Sequence, residues 1–268
     1  MAGSIPRKLW EGKIPAAFSL ASYEVSSSKQ PSPVYMMLPR SSYLSLFTSK
    51  MVEHFSHYME EEKRGEVWFE FNGNPLRWHY PCGLLFDLHC DTTSDLPWPI
   101  TVHFQNFPQG ELIRCNSEKE IQAHYMSVIK EADQLKHKGQ VINGMRETQH
   151  DQLWHGVKMD NFDEFWSINK QFMSGFETTD YFRFIPLRVY FQNRIIQKLF
   201  KPSNNENLTL NEALTICLPS FFANDKTLPL KVKVLTQGIE PPLTCSLQWL
   251  SENFSYADNF LHICVHQS

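Results

Sequence analysis

The chain has 268 residues, of which 42% are hydrophobic and 20% are charged, so it has enough apolar material for one large domain or two to three small ones. Its net charge of −4 at pH 7 provides no overall basic field, which argues against nucleic acid as a partner. The six cysteines form no CxxC pair and no apolar run reaches about 18 residues, so a disulfide framework and a membrane span are not expected. The N-terminal region lacks a signal-peptide pattern, and we expect a cytosolic protein.

The first third of the chain predicts a β-rich domain with one main helix. Strands are predicted at 16–24, 33–38, 67–71, 76–80 and 100–104, and helices at 42–62 and 84–88. The residues Asn72-Gly73-Asn74-Pro75 separate two of these strands and predict a hairpin turn. The order β-β-α-β-β-(short α)-β is that of the β-grasp, or ubiquitin-like, fold.

The middle of the chain predicts helices, and the last third predicts a second β-region. The helices of the middle are expected at 117–138, 140–145, 148–157 and 161–173. After them we expect strands at 181–191 (interrupted at Pro186), 194–200, 230–234 and 260–265, and helices at 208–217 and 246–253. The β-grasp order thus occurs a second time, without repetition of sequence.

The fold class predicted from these elements is α+β, with two ubiquitin-like domains flanking a helix-rich domain. The predicted boundaries are 1–105 for the N-terminal segment and first ubiquitin-like domain, 106–178 for the linker and helix-rich domain, and 179–268 for the second ubiquitin-like domain. We expect each ubiquitin-like domain to form a mixed sheet wrapped on a helix.

The helix predicted at 117–138 presents a lysine opposite an apolar stripe. Ser117 and Glu120 have the spacing of a capping box, which marks the start of the helix. The stripe consists of Ile121, Tyr125, Val128, Ala132 and Leu135. At about 100° per residue, Lys130 lies roughly 180° from the centre of this stripe, with Met126 and Asp133 among its helical neighbours. The pattern alone is also typical of an ordinary solvated lysine.

Enzymatic and metal-dependent functions find little support in the sequence. Cys82 follows His79 closely, and Cys90 lies between His89 and Asp91, but sequence proximity does not give a thiol the base within hydrogen-bond reach that it needs. Paired zinc-ligand spacings and a glycine-rich phosphate loop are not found, so no metal and no cofactor are predicted. The sequence ends without the glycine that a ubiquitin-like modifier needs, so the chain is expected to be an acceptor or a scaffold rather than a donor.

Several blocks of sequence resemble the autophagy protein 5 family, with an animal member as the nearest type. The resemblance covers nearly the whole chain, from about Trp10 to the last strand. The blocks that carry it include Trp78-His-Tyr-Pro81, Gly83-Leu-Leu-Phe-Asp-Leu88, Leu96-Pro-Trp98, Lys130-Glu-Ala-Asp133 and Leu247-Gln-Trp-Leu-Ser-Glu252.

This resemblance implies that Lys130 is the acceptor of an isopeptide bond from the C-terminal glycine of the ubiquitin-like modifier autophagy protein 12. The candidate contacts to that modifier are Gln122, Met126 and Asp133. The implied protein has no catalytic centre of its own and acts as a non-catalytic subunit of a ligase-like complex. That complex promotes transfer of autophagy protein 8 family modifiers to phosphatidylethanolamine during autophagosome formation.

The resemblance also implies non-covalent binding of the N-terminal helix of autophagy protein 16. An amphipathic helix needs a concave apolar surface, and the candidate groove residues are Trp10, Ile14 and Pro15, for which a core role is equally open. A cytoplasmic protein recruited to the preautophagosomal (phagophore) membrane, with peripheral membrane contact, is expected. The alternatives are an unconjugated ubiquitin-like scaffold that recruits partners or membranes, and a cysteine hydrolase.

Overall fold

A computed structural model describes residues 4–27, 29–90, 96–115, 117–177, 179–192, 194–202, 208–222 and 232–267. The chain divides into two compact units. One is Glu11–Ala123, and the other combines Met1–Trp10 with His124–Ser268. The boundaries of the three domains stay a prediction, while the α+β class is confirmed by the sheets and helices of the two units.

The unit Glu11–Ala123 contains a five-stranded mixed sheet in the order β2-β1-β5-β3-β4. Its central strands β1 and β5 run parallel, with Phe18 opposite Ile100, and the other neighbours are antiparallel. The strands are β1 Lys13–Leu20, β2 Val34–Pro39, β3 Trp68–Phe71, β4 Asn74–Pro75 and β5 Trp98–His103, and the helices are α2 Thr48–Phe55 and α3 Cys82–His89. Phe18 and Ile100 alternate with less buried residues, so one face of each central strand lies in the core.

The prediction of one long helix at 42–62 is wrong. The α-helix α2 is short, and 3-10 turns occupy Leu44–Phe47, Ser56–Tyr58 and Glu61–Lys63. The apolar spacing identified core positions correctly, since Met51 and Phe55 are fully buried. Beyond α2, the Ser56 carbonyl accepts from the Met59 amide (3.4 Å), as in a 3-10 turn, and from the Arg64 side chain (2.7 Å).

The predicted hairpin is present, but its second strand is much shorter than 76–80. Asn72 and Gly73 both have positive φ angles (49° and 77°), as the tight hairpin turn requires. The second strand is only Asn74–Pro75, and Tyr80 N–H then donates to the Arg77 carbonyl in a turn. Leu76 N–H still donates to the Phe69 carbonyl at 2.8 Å, so Pro75 stands at a position of the ladder where no amide is needed.

The second unit contains a four-stranded sheet and most of the helices. Its strands β6 Leu187–Phe191, β7 Arg194–Ile196, β8 Val232–Leu235 and β9 Leu261–Gln267 are ordered β7-β6-β9-β8. The parallel pair β6 and β9 is again central. The helices are α1 Ile5–Trp10, α4 Glu118–His137 (which begins in the first unit), α5 Gln140–Gly144, α6 Glu147–Lys158, α7 Phe162–Asn169, α8 Leu210–Cys217, α9 Pro219–Phe222 and α10 Leu247–Phe254.

Several predicted boundaries of this unit change in the structure. Strand β6 begins only after Pro186, and β7 ends at Ile196 rather than at 200. Residues 230–231 of the strand predicted at 230–234 lie outside the described residues. Helix α8 begins with a capping box, in which Thr209 Oγ1 accepts from Glu212 N–H while the Glu212 carboxylate accepts from Thr209 N–H.

Candidate functional site

Helix α4 begins where its capping residues predict. Glu120 N–H donates to Ser117 Oγ at 3.4 Å, which satisfies one of the amides that have no partner within the first turn. Glu118 and Glu120 in the first turn and Lys136 and His137 in the last are placed favourably for the helix dipole. The sequence therefore defines a helix of 20 residues.

The inner face of α4 is anchored in the second unit. Val128 and Ala132 pack against Phe260, which directly precedes β9. Tyr125 is fully buried, and its hydroxyl donates to the Ala257 carbonyl at 3.2 Å. These contacts fix the rotation of the helix about its own axis.

Lys130 is exposed on the opposite face of this anchored helix, as predicted. Ser127 and Gln134, which flank it one turn away on either side, are also exposed. The carboxylate of Glu131, the next residue, accepts hydrogen bonds from Arg188 (2.7 Å) and Gln197 (3.1 Å). Lys130 is therefore exposed to solvent, and the next residue along the helix is held by Arg188 of β6 and by Gln197, which follows β7.

Of the candidate modifier contacts, Gln122 and Met126 are half-buried on α4, but Asp133 is not on the surface. Asp133 is 0% exposed, and its carboxylate lies 2.8 Å from His137 Nδ1 and accepts from Ile142 N–H at 2.9 Å. The predicted position of Asp133 on the outer face is wrong. Helical periodicity could not predict this burial, because Asp133 is covered by α5. The chain turns back at Gly139, in a left-handed conformation, before α5 begins, and the pattern of α4 alone does not show this turn.

Lys136 is a second lysine of α4, and its burial was missed by sequence reasoning. It is 0% exposed, donates to the Phe172 carbonyl at 3.3 Å, and lies 4.4 Å from the centre of the Phe182 ring. Burial lowers the pKa of Lys136 to about 7, although nearby carboxylates partly oppose this shift. Its position at i+7 from the buried Ile129 was the signal that could have found it.

The candidate groove residues fall in two units and are largely packed. Trp10 belongs to the second unit, where it stacks on Phe165 with ring centroids 4.7 Å apart. Ile14 is 2% exposed on β1, and the half-buried Pro15 lies opposite Met37 of β2. Burial of Trp10 and Ile14 fits the core role, and their groove role stays a prediction.

Comparison with known proteins gives matches along nearly the whole chain. Three family models match: "Autophagy protein ATG5, UblA domain" at residues 9–104, "Autophagy protein ATG5, alpha-helical bundle region" at 118–175 and "Autophagy protein ATG5, UblB domain" at 184–265. Autophagy protein 5 of Drosophila melanogaster is 40% identical over 97% of this chain and 95% of its own length. The chain belongs to the autophagy protein 5 family.

More distant members of the autophagy protein 5 family extend this result. Autophagy-related protein 5 of Caenorhabditis elegans is 33% identical over 97% of this chain and 96% of its own length. The crystal structure of Kluyveromyces marxianus Atg5 matches with a TM-score of 0.81 over 98% of this chain and 99% of that one. At 20% identity, this structural match supports the fold alone.

Cys82 and Cys115 are poorly suited to nucleophilic catalysis. Cys82 is 0% exposed, and burial raises the pKa of its thiol well above the ordinary range. Partial burial raises the pKa of Cys115 to about 11. Because the thiolate is the nucleophilic form, raised pKa values make both cysteines less reactive at neutral pH.

Within the described ranges, no group of three or more His, Cys, Asp or Glu side chains is arranged to hold a metal ion. Asp91, the third member of the His89-Cys90-Asp91 group, lies outside the described residues. The helices in the described part of the chain are all too short or too polar to cross a bilayer.

Proposed function

We propose that this chain is conjugated through an isopeptide bond at Lys130 to the ubiquitin-like modifier autophagy protein 12. The observation that carries this proposal is an exposed lysine on a helix whose other face is fixed by Tyr125, Val128 and Ala132. Membership in the autophagy protein 5 family gives this lysine its proposed role. An anchored helix limits the positions that the amine can adopt relative to an approaching enzyme.

The chemistry of the proposed step is acyl transfer. The Lys130 amine attacks the thioester between the C-terminal glycine of the modifier and the cysteine of a conjugating enzyme. A C–N bond forms, the C–S bond breaks, and the enzyme thiol takes the proton that the amine loses. The neutral amine is the nucleophile in this step, so the conjugating enzyme assists deprotonation while α4 supplies access.

In the complete proposal, the conjugate binds the N-terminal helix of autophagy protein 16 and promotes transfer of autophagy protein 8 family modifiers to phosphatidylethanolamine. This chain is then a non-catalytic subunit of a ligase-like complex. Its location is cytoplasmic, with recruitment to the phagophore membrane through peripheral contact. The raised thiol pKa of the buried Cys82 supports a non-catalytic role over that of a cysteine hydrolase.

The test is a reconstituted conjugation reaction with the modifier, its activating enzyme and its conjugating enzyme. We expect Lys130→Arg to abolish the conjugate while it preserves the charge and the helix. The matched control is Lys119→Arg, which changes another exposed lysine of α4 and should leave the yield unchanged. Mass spectrometry of the wild-type product should show a branched peptide at Lys130.

Two outcomes would contradict the proposal. A conjugate of full yield on Lys130→Arg would assign another lysine as acceptor. If the wild-type chain forms no conjugate although the modifier is charged on its enzyme, the unconjugated scaffold becomes the better description.

A further inference from the structure

A cavity of about 620 Å³ lies within the second unit, on the side of the fold where α4 ends. Its described wall is formed by the C-terminal end of α4, a segment at 176–177 and 179–183, and residues 201–202 after β7. The segment is held to α4 by its backbone, because Arg183 N–H donates to the Lys136 carbonyl at 2.9 Å and Phe184 N–H to the Leu135 carbonyl at 3.1 Å. The lining residues are Lys138, Phe176, Thr179, Tyr181, Phe182, Arg183, Lys201 and Pro202.

The charge of this cavity is strongly one-sided. Among the described residues that line it, Lys138, Arg183 and Lys201 are cationic and none is acidic. The same segment contains Glu177 and Asp180, but both are exposed and neither lines the cavity. Since the whole chain has a net charge of −4, this concentration of positive charge does not follow from overall composition.

Aromatic rings hold two of these cations without neutralising them. Lys138 Nζ lies 5.1 Å from the centre of the Phe176 ring, and the Arg183 guanidinium carbon lies 4.8 Å from that of Phe184. A cation–π contact positions a cation but leaves its charge and most of its N–H donors available. The two side chains are therefore partly ordered and still able to bind an anion.

The buried ring of Phe182 adds to this arrangement. Phe182 is 2% exposed and lines the cavity, and the buried Lys136 amine lies 4.4 Å from the centre of its ring. When Lys136 is protonated, a fourth positive charge lies in contact with the cavity wall. A concave wall of low polarity strengthens the attraction between these charges and a bound anion.

We propose that the cavity formed by Lys138, Arg183, Lys201 and the aromatic residues around them binds a phosphate monoester. The volume is in the range of small-molecule sites, so the cavity can enclose a phosphate together with its substituent. Arg and Lys are the side chains that recognise phosphate, Arg by paired N–H donors and Lys as a point charge. The same chemistry is offered by a free phosphorylated metabolite and by a lipid with a phosphate headgroup.

The experiment uses the full chain and compares two double variants of equal charge. Lys138→Gln with Lys201→Gln removes two cavity cations, and Lys8→Gln with Lys170→Gln removes two exposed lysines of the same unit outside the cavity. Circular dichroism checks that both variants are folded. The probes are glycerol phosphate in calorimetry, and phosphatidylcholine vesicles containing either phosphatidic acid or phosphatidylserine in flotation.

The expected result is binding by the wild type that weakens at least about tenfold in the cavity variant, as the loss of two charge-assisted hydrogen bonds implies, and stays unchanged in the control variant. Binding of glycerol phosphate would identify a soluble ligand. Binding confined to phosphatidic acid vesicles, in preference to phosphatidylserine, would identify a lipid headgroup. The proposal is overturned if neither probe binds, if both lipids bind equally without glycerol phosphate, or if the control variant loses as much affinity as the cavity variant.

Discussion

Lys130 and Lys136 lie six residues apart on α4, and one is exposed to solvent while the other is completely buried. Six residues correspond to about 120° of rotation from one residue to the other around the helix, which is enough to turn Lys136 into the core. The Lys136 amine contacts the Phe172 carbonyl and the Phe182 ring. One helix therefore contains a lysine available for reaction and a lysine that serves its packing.

The first prediction concerns stability and Lys136. Burial lowers its pKa from 10.5 to about 7 in the folded chain, against the opposing influence of Glu252, Asp133 and Asp258. Between these two pKa values the unfolded chain binds more protons, so the contribution of Lys136 to stability should rise with pH. Lys136→Met keeps the length of the side chain and removes this titration. We expect the free energy of unfolding of the variant to exceed that of the wild type by the largest amount near pH 7.

The measurement for Lys136→Met is denaturant unfolding from about pH 7 to about pH 10, where the free-energy difference should shrink by up to about 1.4 kcal/mol per pH unit. Lys170→Met, at an exposed position of the same unit, is the control and should show no such trend. Parallel stability curves for wild type and Lys136→Met would contradict the lowered pKa.

The second prediction tests whether Asp133 stabilises the fold or contacts the modifier. Its carboxylate contacts His137 within α4 and joins α4 to α5 through the Ile142 amide. We expect Asp133→Asn to lower the free energy of unfolding by about 1–3 kcal/mol, because a buried acceptor of two hydrogen bonds is altered. The yield of Lys130 conjugate, measured where the variant is fully folded, should stay unchanged.

The exposed Gln134 provides the control for Asp133. Gln134→Ala should change the free energy of unfolding by no more than about 0.5 kcal/mol. If Asp133→Asn is fully stable yet conjugates poorly, the carboxylate acts in recognition rather than in packing.

Local patterns predicted the caps well, because neighbouring residues determine them. The central strand predicted at 16–24 instead spans Lys13–Leu20 and is followed by a 3-10 turn at Ser22–Glu24. Thr209 and Glu212 form the capping box that their spacing indicates, and Asn72-Gly73 forms the expected turn. Helix α1 was missed because Ile5–Trp10 is too short to show a periodic pattern, and Trp10 gains its contacts from Phe162 and Phe165, more than 150 residues away.

The sequence predicted only part of the candidate site. Exposure of Lys130 follows from the apolar stripe of its own helix. The burial of Asp133 and Lys136 depends on α5 and on residues 172–182, which approach from elsewhere in the chain. The cavity could not be found from sequence, because Lys138, Arg183 and Lys201 are far apart along the chain and share no motif.

The third prediction tests the packing of Trp10. Its ring stacks on Phe165 and meets the edge of Phe162, so Trp10→Ala should destabilise the docked α1 by about 3–5 kcal/mol, as for other buried aromatic residues. Hydrogen–deuterium exchange should show α1 amides losing protection while β6 and β9 keep theirs. Trp10→Phe retains an aromatic ring and should destabilise the docked α1 much less. Unchanged exchange of α1 in Trp10→Ala would show that the stacking does not hold the helix.

The fourth prediction concerns the thiols. Because burial raises its pKa well above the ordinary range, Cys82 should resist alkylation by iodoacetamide in the folded chain and react fully in denaturant. Cys115, whose pKa is raised to about 11, should react faster as pH rises towards that value, since the thiolate is the reacting form.

Mass spectrometry of tryptic peptides measures the alkylation of both cysteines in one sample, and Cys82→Ala confirms the assignment of its peptide. Cys82→Ala should also conjugate at Lys130 as well as the wild type does, because the proposed acyl transfer uses the cysteine of the conjugating enzyme. Two results together would contradict the non-catalytic role and indicate a catalytic thiol at Cys82. These are rapid alkylation of Cys82 in the folded chain at neutral pH and loss of conjugation in Cys82→Ala.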